Sequence, residues 1–136
     1  MNTQLVNPAG LYDGAAVGMS QATVDLGTGF VFVSGQIDWD TASRVRHGTL
    51  EGQAEGAIEH LLAVLDEAGA SVADILQLRI YVRGELADGM PHIVPVFARH
   101  FGATRPALTG VGVASLASRD TLIEIEALAR LPRESR

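Results

Sequence analysis

The chain has no cysteine and no lysine among its 136 residues. Without cysteine there is no disulfide, no thiolate nucleophile and no thiolate metal site, a composition that fits a cytoplasmic protein. Without lysine there is no Schiff-base amine and no phosphate-binding P-loop lysine. All ten basic residues are arginine, and sixteen acidic residues leave a formal charge of −6. The broad basic field that supplies most nucleic-acid affinity is therefore missing, and no basic-aromatic stripe replaces it. No apolar run is long enough to span a membrane. The start, Met1-Asn2-Thr3-Gln4, lacks the basic and apolar regions of a signal peptide. The four histidines, His47, His60, His92 and His100, show no pairing at three- or four-residue spacing, so no metal site is expected. Gly110-Val111-Gly112 has no third glycine and opens no helix, which excludes a dinucleotide fingerprint. No cofactor is expected.

What is present is ordinary for a globular chain: 47% hydrophobic and 19% charged residues. The length fits one domain, residues 1–136, with enough chain to bury a core. The stretch to Met19 reads as loop, with a short edge strand at Gln4-Leu5-Val6. Ala22 to Asp25 and Phe30 to Gln36 read as strands, joined by the hairpin turn Leu26-Gly27-Thr28-Gly29. Ile37 to Gly48 is polar and irregular. From Leu50 to Ala68, the apolar residues Ala54, Ala57, Ile58, Leu61, Leu65 and Ala68 recur at helical spacing. Thr49 suits the N-cap of that helix and Gly69 its end.

Ile75 to Arg83 predicts a strand, with Leu76, Leu78, Ile80 and Val82 on one side and Gln77, Arg79, Tyr81 and Arg83 on the other. Pro91 to Phe101 predicts a second helix that buries Val94, Phe97 and Phe101, with Pro95 near its start. Pro106 to Ala114 and Thr121 to Ala129 complete the strands. The order ββ-α-β-α-ββ predicts an α+β fold, a mixed sheet with both helices on one face.

The last strand carries the most informative pattern. Alternation puts Ile123, Ile125 and Ala127 on one face and Glu124 and Glu126 on the other. A carboxylate removed from water needs a partner or a use. The sheet face that holds these two glutamates also holds Gln77, Arg79, Tyr81, Arg83, Leu122 and Leu128. It is too polar for a core and too aliphatic for plain solvent, so it predicts an oligomer interface or a shared cleft.

Several segments together resemble the Rid family of reactive-intermediate imine deaminases, also called YjgF-like proteins. They are Asn7-Pro8, Gly18-Met19-Ser20-Gln21-Ala22, Val31-Phe32-Val33-Ser34-Gly35-Gln36, Ala68-Gly69-Ala70-Ser71 with Asp74, and Tyr81-Val82. Phe97-Ala98-Arg99-His100-Phe101, Arg105-Pro106-Ala107 and Ile123-Glu124-Ile125-Glu126-Ala127 continue the match in the same order. The resemblance implies a chorismate-mutase-like fold and a homotrimer whose sheets face inward, with ligand clefts between subunits. It also implies hydrolysis of 2-imino and 2-enamino acids to keto acids and ammonia.

Carried over residue by residue, the resemblance makes Glu124 the catalytic group that orients water. It puts ligand-binding positions at Met19, Ser34, Gly35, Leu108 and Gly110. Two of these depart from the deaminase pattern. Leu108 stands where the deaminases place an arginine that clamps the substrate carboxylate, and Met19 stands where they place a tyrosine. Arg105 precedes the Pro-Ala pair and occupies a different position. An arginine–carboxylate fork makes two charge-assisted hydrogen bonds, each contributing about 1.5–3 kcal/mol. Leucine donates none, so 2-imino acid deamination should be weak or absent and the ligand less anionic or more apolar.

Structural alternatives stand beside these roles. Glu124 could pair with Arg79 or Arg83, and Ser34-Gly35 could be a strand end with a glycine bulge. Glu126 reads as structural. Ser34 lacks the strand-turn-helix setting of a nucleophile. Trp39 reads either as a loop anchor or as a residue at the cleft mouth. The functional alternatives are a non-catalytic ligand-binding or regulatory trimer and, disfavoured by charge, an RNA-cleaving enzyme.

Overall fold

In the computed structural model, which describes residues 2–135, six strands form one mixed sheet: β1 Thr3–Val6, β2 Ala22–Asp25, β3 Phe30–Gln36, β4 Ile75–Arg83, β5 Ala107–Val113 and β6 Ile123–Arg130. Their spatial order is β1-β2-β3-β6-β4-β5. All pairs are antiparallel except β4–β5, which is parallel and crosses over through a helix. The helices α1, Leu50–Ala68, and α2, Leu86–Phe101, pack on the sheet and on each other. The α+β class and the helix order follow from the sequence periodicities.

Helix α1 keeps the predicted bounds because both ends carry local signals. The Thr49 side chain accepts from the Gly52 amide at 3.1 Å. Gly69 takes the left-handed conformation (φ 93°) that returns its N–H to the last turn. Its buried face carries Ala54, Ala57, Ile58, Leu61 and Leu65, with no solvent exposure. They meet the alternating residues Leu78 and Ile80 of β4 and Ile123, Ile125 and Ala129 of β6.

Helix α2 begins at Leu86, five residues before the predicted start, so Pro91 and Pro95 both lie inside it. Each proline removes one backbone donor. Both sit on the exposed side, where water can serve the freed carbonyls. The buried stripe is Ile93, Val96, Phe97 and Phe101, while Val94 is half exposed. A second difference lies in β4. Its pairing with β6 shifts register between Ile75 and Gln77, so Ile75 and Leu78 are buried and Leu76 turns out to solvent. Among the described residues, no helix is long and apolar enough to cross a membrane.

The opposite sheet face is open. Pairing aligns Leu5, Thr23, Phe32, Leu128 and Gln77 across it. Glu126 lies opposite Arg79, and Glu124 opposite Tyr81. Leu5 and Phe32 are 62% and 53% exposed.

Candidate functional site

Glu124 lies at the centre of this open face because alternation along β6 sends it away from the helices. Beside it, the β3–β6 pairing shifts register between Val33 and Gln36, a bulge at Ser34-Gly35. The bulge brings the bare Gly35 backbone against the glutamate: a Cβ at position 35 would overlap the Glu124 carboxyl. Any larger residue at this position would have to displace the Glu124 carboxyl from where it lies.

The carboxyl of Glu124 has no hydrogen bond or ion pair among the described residues. Burial raises its pKa above the usual carboxylate range, and the neighbouring charge of Glu126 raises it further. Glu126 is placed differently. It accepts a hydrogen bond from the Tyr81 hydroxyl and lies 3.9 Å from the Arg79 guanidinium. That bond to Glu126 is the first cause of the raised pKa of the Tyr81 phenol. Arg83 donates to the Arg119 carbonyl. The arginines therefore serve Glu126 and a loop and leave Glu124 unpaired.

Glu124 forms part of the wall of a cavity of about 430 Å³ that also includes Tyr12, Met19, Ser34, Gly35 and Trp39. Val17, Ile37 and Ala117 complete its mostly apolar wall. On the other side of the glutamate, a second hollow is bounded by Gly35, Tyr81, Leu116 and Glu126. The structure thus brings together Glu124, Met19, Ser34 and Gly35. The Ser34 hydroxyl donates to the Ser20 carbonyl at 2.6 Å, which commits its proton to the loop.

Leu108 and Gly110 lie elsewhere. Leu108 pairs with buried Leu78 and so belongs to the helix side of the sheet. With Gly110 it lines an apolar groove beneath Met90, Val94 and Phe97 of α2. Within one subunit, these two residues and Glu124 are on opposite sides of the sheet.

Two aromatic residues of the cavity come from loops with no pattern of their own. The rings of Tyr12 and Trp39 meet at 5.1 Å and 57°. The Tyr12 hydroxyl points to the Met19 sulfur at 3.8 Å, a weak acceptor. Burial raises the Tyr12 pKa; the Gln21 side chain opposes this and the charge of Glu124 adds to it. Trp39 is both an anchor and a cavity wall: its indole N–H donates to the Thr121 hydroxyl at 3.1 Å.

The loop carrying Trp39 is fixed by buried polar groups. Asp38, with no exposure, accepts from Arg46 Nε and from the His47 amide, each at 2.8 Å. Gln53 projects from α1 and donates to the carbonyls of His47 (3.0 Å) and Asp120 (2.9 Å). Its Oε1 accepts from the Leu122 amide at 2.8 Å. One buried side chain thus joins the Trp39 loop to the start of β6, two residues before Glu124. The sequence signal for Gln53 is a polar residue beside the apolar stripe of α1; Tyr12 has none.

A protein with this sheet, these two helices and an unpaired carboxyl beside a strand bulge has clear relatives. The "Endoribonuclease L-PSP" family profile matches residues 14–131. The 2-iminobutanoate/2-iminopropanoate deaminase of Salmonella typhimurium is 35% identical over 117 residues, 85% of this chain and 89% of that one. A RutC family protein of Pyrococcus abyssi is 37% identical over 101 residues, 74% of this chain and 77% of that one. The solved structure of Escherichia coli TdcF with bound serine superposes with a TM-score of 0.80 at 28% identity, covering 95% of this chain and 99% of that one. The chain belongs to the Endoribonuclease L-PSP family, which is the YjgF/RutC/Rid family of the sequence resemblance.

Proposed function

We propose that this chain is a homotrimeric, cytoplasmic small-molecule hydrolase acting on an imine, enamine or related C=N compound, with Glu124 orienting the attacking water. The observation that carries this reading is the unpaired, desolvated carboxyl of Glu124 held against Gly35 at the edge of a cavity. A group with a raised pKa can take a proton from water and return it to a leaving nitrogen near neutral pH. The deaminase relative supports the reaction class. In the test, an amino-acid oxidase generates 2-iminopropanoate in situ and keto-acid release is followed. Slow but measurable hydrolysis that depends on Glu124 is the expected result. Ligand binding without turnover of any imine would move the chain to the non-catalytic alternative. The endoribonuclease reading gains nothing from a chain of charge −6.

The trimer reading rests on the open face, where Leu5 and Phe32 are exposed among charges. It also supplies a route by which Leu108 can matter. Leu108 sits on the edge strand β5, half exposed, so a neighbouring subunit's edge would have to bring it to the Glu124 cleft. Native mass spectrometry is expected to show a particle of three 14.3-kDa chains; a monomer at micromolar concentration would defeat the shared cleft. Leu108→Arg combined with Met19→Tyr is expected to raise 2-iminopropanoate hydrolysis by about 30-fold or more, the value of a restored carboxylate fork. No change would mean that position 108 never meets the substrate.

A further inference from the structure

We propose that the Glu124 cavity takes a small organic cation that carries no carboxylate, so that its substrate is the protonated imine of a simple amine or aldehyde. This rests on the hydrolytic reading and names its substrate class. The wall of the cavity contains one ionisable carboxyl, Glu124, and no arginine among the described residues. Arg79 and Arg83, the arginines of β4, are engaged with Glu126 and the Arg119 carbonyl. An anionic group placed here would meet the Glu124 carboxylate.

Hydrogen-bond donors for an anion are scarce as well. The Trp39 N–H is committed to Thr121 and the Ser34 proton to Ser20. The Tyr12 hydroxyl remains, resting on a sulfur. What the cavity offers instead is the tilted Tyr12–Trp39 pair, whose π faces attract a cation, and one carboxylate to balance the charge. No hydrogen bond joins Tyr12 to Glu124 among the described residues. Both groups line the same cavity, so a ligand held there can contact the phenol and the carboxyl together.

The chemistry closes with water as co-reactant. Water oxygen bonds to the carbon of the protonated imine, and the C=N π electrons move onto nitrogen. Glu124 accepts a proton from that water, which leaves a neutral carbinolamine with hydroxyl and amino groups on one carbon. Glu124 then returns the proton to nitrogen. The carbon–nitrogen bond breaks as the hydroxyl becomes a carbonyl, and the hydroxyl proton leaves with ammonia as ammonium. Nothing is oxidised or reduced.

Trp39 is the only tryptophan in the chain, so its fluorescence, excited selectively, reports this cavity. The test titrates the full-length protein with benzylamine and, separately, with 2-phenylglycine, the same amine bearing a carboxylate. Benzylamine is expected to perturb Trp39 with at least tenfold higher affinity than phenylglycine. Glu124→Gln and Tyr12→Leu, each checked for a native melting transition, are expected to weaken benzylamine binding at least tenfold. Equal or tighter binding of phenylglycine would overturn the proposal and leave the hydrolase reading standing, because a cation from a neighbouring subunit would then hold the carboxylate. Silence of Trp39 toward both compounds at millimolar concentration would remove the cavity as a ligand site, and both readings with it.

Discussion

Glu124→Gln is expected to lower imine hydrolysis by about 10²–10⁴-fold, the usual contribution of a positioned acid–base group. Assembly should be unaffected. The amide has the shape of the acid and can still lie against Gly35, but it cannot take a proton from water. A kcat loss with KM nearly unchanged for a neutral substrate would identify a role in the chemical step. An intact rate would show that water is activated elsewhere.

The same substitution has an opposite effect on stability, and the sign follows from the environment of Glu124. Three titratable groups surround it: Glu126 on its own strand, Tyr81 on β4 and Tyr12 from the N-terminal loop. Burial and the Glu126 charge raise its pKa in the fold. The folded protein therefore holds this proton more tightly than the unfolded chain. As pH rises from the ordinary carboxylate range through the raised value, folding loses stability. The glutamine side chain of the variant carries no such charge. Thermal melts should show the variant more stable than the wild type at pH 7, with the gap closing as pH falls and gone below the ordinary carboxylate pKa. Glu126→Gln gives a useful contrast. Arg79 is more than half exposed, so water compensates it and the expected cost within a subunit is only about 0–1 kcal/mol.

Gln53→Leu is expected to destabilise the protein by about 3 kcal/mol or more, the result of leaving two carbonyls and one amide without their partner. For a chain of this size, that corresponds to a fall in Tm of roughly 10 °C. Leucine fits the space approximately, so lost packing is minor. The lost bonds release the His47 carbonyl, the Asp120 carbonyl and the Leu122 amide together. The Trp39–Thr121 bond lies between these anchors, so Trp39 emission should shift toward that of a more solvated indole. Equilibrium denaturation and fluorescence spectra measure the two effects separately. A variant as stable as the wild type would show that the two loops are held by the Asp38 cluster alone.

Secondary structure was set by local signals wherever a pattern stood on a strong cap or turn. Helix α1 is bounded by the Thr49 cap and the left-handed Gly69. The β2–β3 turn is held by Asp25, whose carboxylate accepts from the Gly27 amide and the Thr28 hydroxyl. In α2 local signals misplace the start. Proline counts as a breaker only if its lost hydrogen bond is not replaced, and exposure on the solvent side is a tertiary fact. Leu76 shows a similar limit, since a single-residue bulge reverses the facing of a strand end.

For the site, the sequence by itself determined that two carboxylates leave the helix side of β6, that a glycine follows Ser34, and that the chain resembles a particular family. Period-two alternation and a short motif require no knowledge of distant contacts. The tertiary structure decided which carboxylate is paired. Glu126 is in register with Arg79 and bonded to Tyr81, whereas Glu124 faces a glycine bulge, and strand register is a non-local property. The tertiary structure also put Tyr12 and Trp39 into the Glu124 cavity, because loops without periodicity are positioned only by buried groups such as Asp38 and Gln53. It separated Leu108 from Glu124 across the sheet for the same reason: the face a residue takes on an edge strand depends on the parallel partner it pairs with, and for Leu108 that partner is Leu78.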